Sequence, residues 1–273
     1  MIRKLLKVEF REALSSMLPV GAGLVVLSAL MALTSALTGR LGLNSGRFDW
    51  LNALLAFATG ICFIAVLVVC FAENVSRFFR MLGERGYIQL TLPVTMGQHI
   101  AAKLIAAVAT TLLTFVFLAA CVFLMSLPTS VNAVVVSIRE VCSVVRSLGL
   151  FACLLILLFT VLGIAMAYLH TYLSSAIGSL FTPHRKLASI IAFFALQFLA
   201  QILFMLVIYF AAMHMQTFID ALSRFALNLL SSPNGELKAI YGSLVGVSAV
   251  EAVIDAALWL ITQTILTKKL NLP

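Results

Sequence analysis

Six long stretches of this chain are almost free of charge: Met17–Thr38, Leu51–Ala72, Ile100–Ser126, Gly149–Tyr172, Ala188–Met213 and Tyr241–Leu266. Lys103, Glu251 and Asp255 are the only charged side chains inside them, although the chain has 18 Lys and Arg and 10 Asp and Glu. Each stretch exceeds the roughly 20 residues that a helix needs to cross a hydrocarbon core of about 30 Å. Open strands would leave backbone N–H and C=O groups unpaired in lipid, so helix is the economical solution. The expected fold is all-α: an integral membrane protein with six transmembrane helices. Composition agrees, at 63% hydrophobic and 10% charged, where a soluble domain carries about a quarter charged residues to solvate its surface. That excludes an ordinary soluble enzyme, a disordered chain and a nucleic-acid-binding domain.

The formal charge of +8 then becomes a topology signal. With the N-terminus inside, the inner segments hold Arg3, Lys4, Lys7, Arg11, Arg77, Arg80, Arg85, Lys103, Arg185, Lys186, Lys268 and Lys269. The outer loops hold Arg40, Arg47, Arg139, Arg146, Arg224 and Lys238. The excess of basic residues inside places both termini in the cytoplasm. No cleavable signal peptide is expected, because Met17–Thr38 is longer than a signal-peptide core and follows a mixed-charge segment. Cys62, Cys70, Cys121, Cys142 and Cys153 form no Cys-x-x-Cys pair and read as small apolar residues. His99, His170, His184 and His214 are scattered without metal-ligand spacing, and there is no Gly-x-Ser-x-Gly elbow. No catalytic or metal site is expected, and the chain is not expected to be an enzyme by itself.

Two polar segments carry more pattern. In residues 1–16, Ile2, Leu6, Phe10 and Ala13 share one side at helical spacing, while Arg3, Lys4, Lys7 and Arg11 cluster on another. That is an amphipathic elbow helix on the membrane surface, its basic face turned to lipid phosphates. The loop at 73–99 reads ENVSRFFRMLGERGYIQLTLPVTMGQH. Arg77 and Arg80 share a face of a short helix continuing from the second span, with Phe78 and Phe79 beside them. Gly83 is a natural helix stop, and Gly86, Tyr87 and the Leu92-Pro93 step force a turn before a new helix begins near Thr95. Charge, aromatics and a turn together have the format of a docking surface.

The order of these polar segments resembles the permease subunit of a type-2 ATP-binding-cassette (ABC) exporter of the kind common in Gram-positive bacteria. The residues that carry the resemblance are K-V-E-F-R at Lys7–Arg11, R-F-F-R at Arg77–Arg80, E-R-G-Y-I-Q-L-T-L-P-V at Glu84–Val94, and Lys103 at the start of the third span. G-S-L-F-T-P-H-R-K-L at Gly178–Leu187 and K-K-L-N-L at Lys268–Leu272 extend it to every inner segment. The resemblance implies one permease domain over the whole chain in the bacterial cytoplasmic membrane. It also implies pairing with a second permease copy or paralogue and with a separate ABC ATPase subunit that binds ATP and Mg. It places a coupling helix at about Asn74–Gly83, with Arg77, Phe78, Arg80, Glu84, Arg85 and Tyr87 toward the ATPase. His184 and Arg185, within Thr182–Lys186, form a smaller second contact. The chain has no G-x-x-x-x-G-K-[ST] loop of its own, so ATP would be hydrolysed by the partner. It also lacks a large extracellular domain.

Three charges lie within the spans. Lys103 is near the inner end of the third span and is expected to snorkel to the interface. Glu251 and Asp255 are one turn apart on one face of the sixth span, at about 15 and 21 Å from its outer end for ~1.5 Å per residue. Gln197 and Gln201, also one turn apart, lie at matching depth in the fifth span. An ionised carboxylate at mid-membrane is costly and should face protein or water. Three readings stand: a hydrogen-bonded cluster locking the two helices, the lining of a polar or cationic substrate path, or a proton-coupling site in an ion-coupled secondary carrier. Gly242 and Gly246 form a small-x-x-x-small packing step. Short outer helices are expected at 131–146 and 216–230.

Overall fold

The structure, a computed structural model, describes residues 2–41, 49–82, 95–126, 131–181, 184–213 and 235–269. Six helices fill them: α1 (Ile2–Leu41), α2 (Asp49–Leu82), α3 (Met96–Ser126), α4 (Val131–Gly178), α5 (Arg185–Met213) and α6 (Gly235–Lys269). No strand occurs among the described residues. Each helix contains a segment long and apolar enough to cross a membrane: Leu18–Leu37, Trp50–Leu82, Met96–Ser126, Gly149–Gly178, Arg185–Phe210 and Tyr241–Lys268. The six apolar helices expected from the sequence are therefore present, and the chain has the make-up of a multi-pass membrane protein. Its surface agrees, since side chains such as Phe57, Val116, Phe198 and Val253 are largely exposed, an arrangement that lipid tolerates and water does not.

Several threonine side chains inside these helices satisfy themselves locally. Thr59 donates to the Leu55 carbonyl at 2.9 Å, Thr160 to Ile156 at 2.8 Å and Thr262 to Leu258 at 2.7 Å. Such back-bonding lets an apolar helix hold a hydroxyl without a tertiary partner. The amphipathic start of the chain is helical, but α1 runs unbroken from Ile2 through Pro19 into the first span. Likewise Asn74–Leu82 is the direct continuation of α2. The expected Gly83 stop, the turn at 86–93 and the short helix at 216–230 lie outside the described residues.

The helices divide into two compact units. The first comprises Met1–Arg77 and Gly97–Ser147, the second Phe78–Met96 and Leu148–Pro273. In the first, Leu24, Val66, Leu118 and Cys121 form a buried cluster, joined by Val20, Cys62, Phe63, Leu67 and Phe117 from α1, α2 and α3. In the second, Phe78 stacks on Tyr172 at a ring distance of 4.0 Å, and Tyr168 packs on Tyr172 at 6.2 Å. Phe78 and Tyr172 are fully buried.

Two glycines decide the course of α4. Gly149 has φ +79° and ψ 159°, which breaks α4 between the expected outer helix at 131–146 and its membrane segment. That backbone region is almost closed to residues with a Cβ. At the other end, a Cβ on Gly178 would lie 2.6 Å from the Ser189 backbone nitrogen. Only glycine allows the end of α4 to meet the start of α5, where Ser179, Leu180 and Phe181 close a tight turn by donating to the carbonyls of Ser175, Ile177 and Gly178.

Gly149→Ala should therefore destabilise the protein by about 1–3 kcal/mol, and Gly178→Ala should lower stability through the clash with Ser189. Gly163, where an added Cβ meets nothing within 4 Å, should tolerate alanine or gain up to about 1 kcal/mol. Thermal unfolding of the three variants in detergent checks this ordering.

Candidate functional sites: a buried charge cluster and an acidic helix seam

In the first unit, polar groups from three helices converge. Glu9 of α1 is 8% exposed and Lys103 of α3 is 5% exposed. The Lys103 Nζ donates to Glu9 Oε1 at 2.6 Å. Arg77 of α2, 5% exposed, donates through Nη1 to the Glu9 backbone carbonyl at 3.1 Å, and its Nε lies 3.9 Å from Glu73. One turn before Arg77, the buried Asn74 donates to Thr110 Oγ1 at 3.2 Å. His99 is buried beside this group, one turn before Lys103 on α3.

The local sequence explains how these side chains meet. The apolar side of α1 carries Leu6, Phe10 and Ala13, and Ala13 is fully buried. Glu9 sits on that same packed side, so its carboxylate is drawn in and must find a cation. The expected snorkelling of Lys103 is thus replaced by a buried ion pair. Its partner is 94 positions away, which no local pattern could reveal.

This geometry also redistributes the expected docking residues. Arg77 and Phe78 are turned inward, Arg77 onto Glu9 and Phe78 onto Tyr172, and neither has surface left for another protein. The physical reason is that α2 carries its packed face straight on past the span. Arg80 lies on the exposed side of the same helix end. Arg185 is half-buried and donates through Nη1 to the Leu82 carbonyl at 3.2 Å, which caps α2 from the start of α5. His184 is exposed in the preceding turn. Glu84, Arg85 and Tyr87 lie outside the described residues.

In the second unit, α6 packs along a single seam. Ser248, Asp255, Thr262 and Leu266 are buried, and Tyr241, Leu244, Glu251 and Leu258 are half-buried between them. The spacing alternates between three and four residues, the pattern of a helix that meets its neighbours along one stripe. In its middle the stripe is polar. Neither carboxylate oxygen of Asp255 has a hydrogen-bond partner among the described residues, and the same holds for Glu251 Oε2, Ser248 Oγ and Trp259 Nε1. Buried polar atoms are rarely left in that state, and each calls for an explanation.

The glutamines do not supply it. Gln197 and Gln201 are exposed, and Gln201 lines a shallow groove with Phe198, Ile202, Met205, Leu206 and Tyr209. α5 buries Ser189 and Ala192, but from residue 197 to 210 every position is exposed. Equal depth along two helices fixed the height of Gln201 and left its rotation about the helix axis open. Nor is the glycine step used among the described residues, where an added Cβ at Gly242 or Gly246 meets nothing within 4 Å. Sequence reasoning missed Glu9, Asn74, Thr110, Ser248 and Trp259 as site residues. Helical spacing from Glu251 and Asp255 is the signal that could have found Ser248 and Trp259.

No protein-family model, curated protein or solved structure matches this chain. Chemically, the two sites differ. The Glu9–Lys103–Arg77 cluster joins α1, α2 and α3 and pairs Lys103 with Glu9, while Arg77 Nε and His99 Nε2 have no hydrogen-bond partner among the described residues. The α6 seam holds carboxylate acceptors and the Ser248 and Trp259 donors, all without a hydrogen-bond partner among the described residues, and its carboxylates can take a proton, a cation or a hydrogen-bonding group. No group of three or more metal-ligating side chains occurs among the described residues.

Removing one partner of a buried ion pair leaves an uncompensated charge, at a cost of about 3–5 kcal/mol. Lys103→Met should therefore destabilise the protein by that order, and Glu9→Gln together with Lys103→Met should recover most of the loss. Unfolding midpoints of both variants in the same detergent check this expectation.

Proposed function

We propose that this chain is the membrane subunit of an ATP-driven exporter of the ABC type, working beside a separate ATPase and a second permease copy. Both termini and the 73–99 loop would lie in the cytoplasm. What carries the reading is α2: it extends well past the expected end of its span at Ala72, to Leu82, and exposes Arg80 shortly before the E-R-G-Y sequence. The helix end is braced by Arg77 on Glu9 and by Arg185 on Leu82. A lever braced in this way passes a push on the loop into the helices it touches. The contact residues toward the ATPase would be Arg80, Glu84, Arg85, Tyr87 and His184.

The bare length of α5 supports a second copy. Fourteen consecutive exposed positions include Gln197 and Gln201, whose amides in lipid gain from a partner helix. The substrate pathway would then lie between two permeases, with cargo that could include peptides, drugs or lipids.

Arg80→Glu combined with Arg85→Glu should abolish copurification of an ATP-hydrolysing subunit while leaving the fold intact. Retained copurification with retained ATP-dependent transport would sink the docking assignment. The unpartnered acids of α6 favour one rival, a proton- or ion-coupled carrier using Glu251 and Asp255. In proteoliposomes, uptake driven by an ion gradient alone and lost in Glu251→Gln with Asp255→Asn would establish that rival. Transport that survives this double substitution and still requires ATP supports the exporter.

A further inference from the structure

We infer that a groove between α1 and α3 is a binding site for one anionic phospholipid, with an acyl chain along the groove and the phosphate held by Lys7 and Arg11. The inference stands independently of the proposed transport function.

The groove has a volume of about 540 Å³ and is walled by Leu18, Gly21, Val25, Leu113, Phe117 and Ala120, among others. Its size falls within the range of roughly 300–1,000 Å³ typical of ligand pockets. A smaller hollow of about 310 Å³ lies between the same two helices, walled by Leu6, Lys7, Phe10, Ile105, Ala106 and Ala109. The two belong to one stripe on each helix. On α3, Ala106, Ala109, Leu113, Phe117 and Ala120 follow at three- and four-residue steps. On α1, Lys7 and Phe10 are followed in the same phase by Leu18, Gly21 and Val25.

Register sets the polarity of this stripe. Glu9 meets Lys103, and a Cβ on Gly21 would lie 3.5 Å from the Phe117 ring. α1 and α3 therefore run side by side in the same direction. That register puts Lys7 about level with Ala101, just before Lys103 and the charge-free part of α3, and Lys7 lines the hollow that Ile105 and Ala106 also line. Lys7 and Arg11 are exposed, while Glu9 beside them is already taken by Lys103. Glu12 lies roughly 140° around the helix from Lys7, and Arg11 roughly 40°. An acyl chain alone would be satisfied by any lipid. Lys7 in the smaller hollow, with the exposed Arg11 one turn along α1, is what selects an anionic one.

The volume exists because part of its wall is made of small residues. Gly21 and Ala22 on α1 and Ala120 on α3 contribute little side chain to it, while the Phe117 ring lies against Gly21 and bounds the groove. An empty apolar groove open to the hydrocarbon would fill with lipid chains, since atoms lining a void forgo dispersion attraction that any well-fitting chain restores.

The test uses the full chain with Trp50→Phe, Trp259→Phe and Phe117→Trp, which leaves one indole at the groove. It is reconstituted in vesicles of phosphatidylcholine or phosphatidylglycerol with brominated acyl chains, and quenching of that indole is read. Each basic residue near an anionic surface is worth about fivefold in affinity, so phosphatidylglycerol should quench at a roughly 25-fold lower mole fraction. Lys7→Gln with Arg11→Gln should bring the two curves together, and Gly21→Leu should reduce quenching by both lipids. Millimolar glycerol phosphate should leave quenching unchanged, and displacement by it would overturn the chain-held mode of binding. Equal quenching by the two lipids, or a preference that survives the Lys7 and Arg11 substitutions, would overturn the inference. Native mass spectrometry of the unsubstituted protein gives a check free of groove variants. Retained phosphatidylglycerol, lost on Lys7→Gln with Arg11→Gln, supports the site; its absence from the unsubstituted protein overturns it.

Discussion

Hydrocarbon offers no hydrogen bonds, and every polar group that enters it must be answered from within the protein. That single constraint makes all six elements helices and then sorts their side chains. Several threonines answer it locally, folding back onto carbonyls three or four residues earlier. Charged groups cannot do so, and they need partners on other helices. Glu9, Lys103 and Arg77 find each other, and in doing so they fasten α1, α2 and α3 at one end. Glu251 and Asp255 find no such partner among the described residues, and their buried oxygens wait for a donor. The difference between these two acidic sites separates a brace whose carboxylate is paired from a seam whose carboxylates are not.

The course of α2 ties the brace to the proposed function. Its last turns direct Arg77 and Phe78 inward and leave Arg80 outward. An exposed arginine and a core that holds the helix in place thus occupy opposite sides of the same short segment. A substitution at Arg77 is expected to cost stability, whereas under the proposed function one at Arg80 is expected to cost association. Treating the two arginines as equivalent because they are three residues apart would confuse those effects. α4 shows the same economy, since Gly149 bends the helix and Gly178 lets its end turn tightly back.

How much was legible from the residues depends on the range of the interaction. The apolar stretches marked their own helices because span length and lack of charge are local properties. Glu251, Asp255, Ser248 and Trp259 could be placed on one face, because helical spacing alone decides that. The pairing of Lys103 with Glu9 could not be read, since both side chains have ordinary local surroundings and meet only when α1 lies beside α3. The position of Gln201 failed for a related reason. Depth along a helix follows from counting residues, whereas the direction a side chain faces depends on which neighbours the helix packs against. α5 packs only through its first turns.

From its sequence alone the chain was committed to six apolar helices, because no other backbone arrangement satisfies its N–H and C=O groups in lipid at such lengths. The sequence also determined which few polar side chains had to be explained. The tertiary structure decided which of those charges are neutralised and which remain unanswered. It opened a groove between α1 and α3, walled in part by small residues, and it turned Arg77 from a surface contact into a brace. Those outcomes rest on the register and rotation of helices against one another, and packing between distant segments sets both.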